Sequence, residues 1–142
     1  MDVEMAPDVE RQVSEMVDVL SYGHVNEFRI ICMRSRNATA RAYARIWNLP
    51  DIWQKALSVG AFYIIEVVAQ HYDPLPDEEK EKVIIHELLH IPKTFSGALR
   101  PHGGKVKINS KTVGMLHKIY KERKKELEHE RKRRLAAAEA AF

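Results

Sequence analysis

One run decides most of what this chain can become. Val83-Ile84-Ile85-His86-Glu87-Leu88-Leu89-His90-Ile91-Pro92 sets a His-Glu-x-x-His pattern inside an apolar segment that reads as a buried helix, stopped by Pro92. On an α-helix, residues four apart differ by about 40° in direction and one turn in height. His86 and His90 therefore face the same way and can each offer a ring nitrogen to one ion. Glu87 stands about 100° round from His86, in reach of a water on that ion rather than of the ion itself. Among Ile84, Ile85, Leu88, Leu89 and Ile91, two histidines and a glutamate are costly to bury without partners, and a metal supplies the compensation at once. Neutral imidazoles suit Zn²⁺. The chemistry that follows is metal-assisted hydrolysis: the ion lowers the pKa of bound water toward about 7, Glu87 takes its proton as general base, and the ion polarises the carbonyl under attack.

A catalytic zinc has three protein ligands and one open position. The best third ligand is His102, in the Gly- and Pro-punctuated stretch Phe95-Ser96-Gly97-Ala98-Leu99-Arg100-Pro101-His102-Gly103-Gly104, which leaves the helix and is free to fold back. Its rivals are His117, Glu122 and Glu126 on the following helical segment.

The run His86-Glu87-Leu88-Leu89-His90-Ile91-Pro92, followed by Gly97 and Leu99-Arg100-Pro101-His102-Gly103, resembles the phage-type metallopeptidase family of small zincins and, more loosely, Spartan-like DNA-linked proteases. The similarity spans roughly 27–104 and is specific only over 86–102. It implies His86, His90 and His102 as ligands and Glu87 as the base. Gly-x-x-His does not follow His90 as in metzincins, and the downstream Asn-Glu helix motif of thermolysin-like enzymes is missing. The resemblance also implies that the strand before the metal helix forms the sheet edge above the cleft, where an extended peptide can add; the alternative is an ordinary internal strand with no exposed edge.

With 142 residues, 45% hydrophobic and 30% charged, the chain fits one soluble domain over 1–142. A single cysteine, Cys32 in an apolar run, excludes a disulfide framework, is read as packing, and fits a reducing cytoplasm. No apolar stretch approaches the roughly 20 residues that span a bilayer, and no basic-then-apolar leader opens the chain, so membrane anchoring and secretion are not expected.

The first residues, 1–6, read as loose. Val9, Val13, Met16, Val17 and Leu20 recur at helical spacing, predicting a helix over 8–21 that Gly23 ends. Phe28, Ile30, Ile31 and Met33 predict a strand over 27–34, and strict alternation from Ala38 to Trp47 predicts another. A short helical turn over 52–57 follows, with Trp47 and Trp53 sealing a core edge. Residues 61–68 give the strongest strand signal, with Glu66 turned to solvent. The metal helix is predicted over 76–91, Pro76 taking its first position and Asp77, Glu78 and Glu79 filling its positive first turn. Val106 and Ile108 suggest a brief extended piece, and Asn109-Ser110 caps a long helix whose apolar stripe thins after Tyr120. Its basic residues, among them Lys121, Arg123, Lys124, Lys125 and Arg131 to Arg134, are interleaved with Glu122, Glu126, Glu128 and Glu130, the pattern of a salt-bridged solvated face.

The sequence thus predicts an α+β, zincin-like fold: an N-terminal helix, a sheet of about three strands, the metal helix, a ligand loop and a basic C-terminal helical extension over 109–142. The expected function is zinc-dependent hydrolysis of a peptide or protein substrate, with Arg100 or Tyr63 as candidates to stabilise the oxyanion. The alternative is a non-proteolytic, zinc-stabilised module that binds nucleic acid or a protein partner through its basic helix. Hydrolysis of a non-peptide amide would use the same groups.

Overall fold

The computed structural model describes residues 2–141; Met1 and Phe142, termini of the expected domain, lie outside the described residues. The heptad-like spacing of Val9, Val13 and Met16 builds α1 (Pro7–Val19), with Pro7 in its first turn and Asp8 and Glu10 near its positive end. The chain turns out of this helix at Ser21, in the left-handed region at φ 56°, ahead of Gly23.

The sheet is mixed and has four strands where three were expected. β1 (Asp2–Met5), β2 (Ile30–Arg36), β3 (Ala44–Asn48) and β4 (Tyr63–Val68) lie in the order β1-β2-β4-β3. β1 occupies the segment read as loose and pairs antiparallel with β2, its Asp2 opposite Arg36. All four of its residues are exposed, so backbone pairing rather than side-chain burial fixes it. β2 starts three residues later than expected because Glu27–Arg29 form a 3₁₀ turn, capped by Asn26 Oδ1 accepting from the Phe28 amide at 3.1 Å.

β4 pairs parallel with β2 and antiparallel with β3. The strand expected at the edge is therefore internal, and β1 and β3 are the edge strands. β3 is also shorter than the predicted alternation: residues 38–43 are outside it, where alanines offer a pleated surface little to pack. Trp47 on β3 and Trp53 on α2 (Asp51–Leu57) stay about half exposed, so neither seals a core edge. After β4 come the single turn α3 (Ala69–Tyr72), then α4 (Asp77–Leu89) and the long α5 (Ser110–Ala141).

The core is a single cluster in which α1 contributes Val9, Val13 and Met16, the sheet Cys32, Tyr63, Ile65 and Val67, α4 Ile84, Ile85 and Leu88, and α5 Val113 and Tyr120. α4 packs on α5, α1 and β3, which holds its apolar face rigid. Beyond Tyr120 no residue of α5 is buried, as the thinning stripe predicts. Among the described residues no helix is long and apolar enough to cross a membrane.

Glu66 departs most from its expected place. It is 3% exposed and accepts hydrogen bonds from Arg45 Nη2 at 2.9 Å and Trp47 Nε1 at 2.8 Å, because register sets Arg45 opposite it. Burial pushes its carboxyl up, but the hydrogen bonds from Arg45, Ser35 and Trp47 outweigh burial and hold it below the usual glutamate range.

A carboxyl held low contributes stability above its unfolded value near 4.5 and loses it as pH falls through the folded value. Urea unfolding at pH 7 should show Glu66→Gln less stable than the parent by about 1.5–3 kcal/mol, the range for a hydrogen bond to a charged group. The gap should close as the pH is lowered below that value.

Candidate metal centre

Helix α4 begins at Pro76, which is its N-cap rather than its first residue, and carries Asp77, Glu78 and Glu79 in the first turn. The buried residues Ile84, Ile85 and Leu88 fix its rotation, which turns His86, Glu87 and His90 to one side of the apolar face. His90 is the C-cap, and Pro92 forbids continuation. The chain then doubles back: Phe95 and Gly97 take positive φ values of 47° and 94°, and the Arg100 amide donates to the His90 carbonyl at 2.7 Å. In return, His90 Nδ1 lies 2.6 Å from the Arg100 carbonyl. A carbonyl only accepts, so Nδ1 carries the proton and the His90 Nε2 lone pair is free.

This fold-back brings in the loop histidine. One ligand atom each from His86, His90 and His102 lies within 4.8 Å of the others, and Nε2 of His86 and Nε2 of His102 are 3.2 Å apart. Ring centroids are 5.2 Å apart for His86 and His90 and 4.6 Å apart for His90 and His102. Burial, then the neighbouring histidines, push His86 down from the usual histidine range; burial and His102 do the same to His90 against an opposing bond to Arg100. Imidazoles kept neutral with converging lone pairs are a donor set that fits a borderline cation. Among the described residues no fourth His, Cys, Asp or Glu joins this group.

Glu87 is 7% exposed, and burial alone pushes its carboxyl up to about 7. Among the described residues it has no hydrogen-bond or ion-pair partner. It lies with His86 in a cleft of about 530 Å³ walled by Tyr43 and Ala44 of the edge-strand segment, Val83 of α4 and Val113 of α5. Sequence reading missed Tyr43, because its alternating run marked a strand without saying which side would border the cleft.

The rival ligands are elsewhere. His117 is buried and its Nε2 is 2.9 Å from Glu81 Oε1, while Glu122 and Glu126 lie along α5 outside the cluster. Neither candidate for the oxyanion lines the cleft. The Tyr63 hydroxyl accepts from the Gly97 amide at 2.9 Å and donates to the Ala98 carbonyl at 2.8 Å, which uses its only proton. Arg100 places its guanidinium charge near Tyr22 and His24. The piece expected around Val106 and Ile108 is an isolated bridge between Gly103 and Lys107, next to a bond from the Ile108 amide to the His102 carbonyl at 3.0 Å.

The model of the family described as "Putative phage metallopeptidase" matches residues 1–132. No curated protein and no solved structure matches the chain.

Glu87 titrates higher in the folded chain than in the unfolded one, so the folded state loses stability as pH rises from about 4.5 to about 7. Metal-stripped parent should therefore fall behind Glu87→Gln across that window, by roughly 3 kcal/mol above it at 1.36 kcal/mol per unit. Histidine contributions are common to both proteins. Denaturant titrations at pH 4 and pH 8 would read the difference.

Proposed function

The chain belongs to the phage metallopeptidase family, and from that premise we propose that it is a zinc-dependent peptidase working as one domain over 1–142. The observation that carries this reading is the meeting of three histidine nitrogens with a buried carboxyl group that has no partner among the described residues, at one end of a cleft. His86, His90 and His102 would hold the ion. When bound, the zinc supplies Lewis acidity toward a water and a peptide carbonyl. A three-histidine set leaves one coordination position open, which favours catalysis over a closed structural site.

The chain's own residues do the rest. His90, oriented through Nδ1 by the Arg100 carbonyl, keeps its Nε2 directed at the cluster. Glu87 stands outside the ligand group and titrates near neutrality, the range in which a carboxylate accepts a proton from the attacking water and returns one to the leaving amine. The apolar wall of Ala44, Val83 and Val113 keeps bulk water from that carboxylate and seats a substrate side chain. β3, an edge strand beside Tyr43, presents its outer side as the place where an extended polypeptide would add. Peptide or protein is therefore the substrate class. A buried, unpaired Cys32 suits the reducing cytoplasm as its place of work.

Elemental mass spectrometry of zinc-loaded, desalted protein should find close to one zinc per chain, abolished by His86→Ala and strongly reduced by His102→Ala. Glu87→Gln should keep the zinc and lower cleavage of an unfolded protein mixture by about 10²–10⁴-fold. A parent without zinc, or a Glu87→Gln variant as active as the parent, would contradict the reading.

A further inference from the structure

We propose that Tyr63 is a positioning residue for the third histidine: its buried hydroxyl fixes the loop whose end places His102 against His86. The inference rests on the reading of His102 as a ligand and deepens it.

His102 is exposed, and among the described residues its ring has hydrogen-bond or ring–ring contacts only with His86 and His90. Its position is therefore set by the backbone that delivers it. That backbone, from Pro92 onward, contains no regular element, yet it is clamped from beneath by one side chain. Tyr63 opens β4 and is fully buried. Its hydroxyl takes the Gly97 amide and gives to the Ala98 carbonyl, and its ring meets Phe95 edge-on with centroids 5.1 Å apart. Three loop residues thus close over one tyrosine.

The outer side of the same turn is held by Asn48 Nδ2, which donates to the Gly97 carbonyl at 2.7 Å, and by Gln54 Nε2, which donates to the Ser96 carbonyl at 3.2 Å. The fit allows no side chain at Gly97. Its φ is 94°, and a Cβ there would stand 2.2 Å from Gln54 Nε2 and 3.0 Å from the Leu49 carbonyl oxygen. Two residues past Ala98, Arg100 is tied at both backbone groups to His90, and Pro101 then limits φ before His102. Tyr63 and His90 are therefore successive anchors of one short stretch, one on the sheet and one on the helix. Removing the hydroxyl leaves the Gly97 amide and the Ala98 carbonyl without their partner, and the turn must shift to recover one. That shift moves His102, while His86 and His90 remain fixed by α4.

The test compares full-length parent, Tyr63→Phe, Asn48→Ala and a control, Ile65→Val, which trims the same buried strand without touching the loop. In metal-free protein with labelled histidines, NMR cross-relaxation between the His86 and His102 rings should be lost in Tyr63→Phe and weakened in Asn48→Ala. The contact between His86 and His90 should persist in all. Zinc alone, titrated against a competing chelator, should bind Tyr63→Phe about 10–100-fold more weakly, the usual cost of removing a residue that supports a ligand. Ile65→Val should match the parent. Retention of the contact between His86 and His102, with zinc affinity within about twofold of the parent, would overturn the proposal. If His102→Ala binds zinc as the parent does, the ligand reading fails, and the metal-free NMR comparison still decides whether Tyr63 places His102.

Discussion

The two-way bond between His90 and Arg100 is the contact on which the centre depends. It satisfies a carbonyl at the open end of α4 with the Arg100 amide and spends the Nδ1 proton of His90 on the Arg100 carbonyl. One pair of backbone groups thus ends the helix, selects a histidine tautomer and turns the loop back toward the cluster. Without it Pro92 would still stop the helix, but the loop would lose its tie to the helix two residues before His102. The Tyr63 clamp acts earlier in the same loop, so sheet and helix are joined through the segment that carries the third histidine.

Around that contact, burial sets the electrostatics. α4 is packed by α1, α5 and the sheet, and this removes water from His90 and Glu87 and in part from His86. The same desolvation has opposite consequences for the two residue types: it keeps imidazoles neutral, as cation ligands must be, and raises a carboxyl until it titrates near pH 7. The cost of burying these groups is offset by the apolar residues Ile84, Ile85 and Leu88 on the same helix. An ion held by the histidines would recover part of that cost, so metal binding there would be thermodynamically linked to folding.

The helix was legible in the sequence because an apolar run and a terminal proline are local signals. His102 was legible because glycines and a proline announce a loop able to return. What escaped reading was non-local. β1 is all exposed and exists through pairing with a strand some thirty residues later in the chain, so its side chains carry no periodic signal. The interior position of β4 follows from its parallel pairing with β2, which no property of Ala61 to Val68 encodes. Glu66 looked like a solvent residue in an apolar strand until register put Arg45 and Trp47 beside it. Tyr63 showed chemistry suited to an oxyanion, but its hydroxyl is committed to Gly97 and Ala98.

X-ray absorption at the zinc edge, on full-length protein loaded with one equivalent, tests the account most directly. Three histidine nitrogens at about 2.0–2.1 Å with one further, non-histidine oxygen are predicted, and one histidine should disappear in His102→Ala. A shell closed by four protein ligands, or one unchanged by His102→Ala, would contradict it.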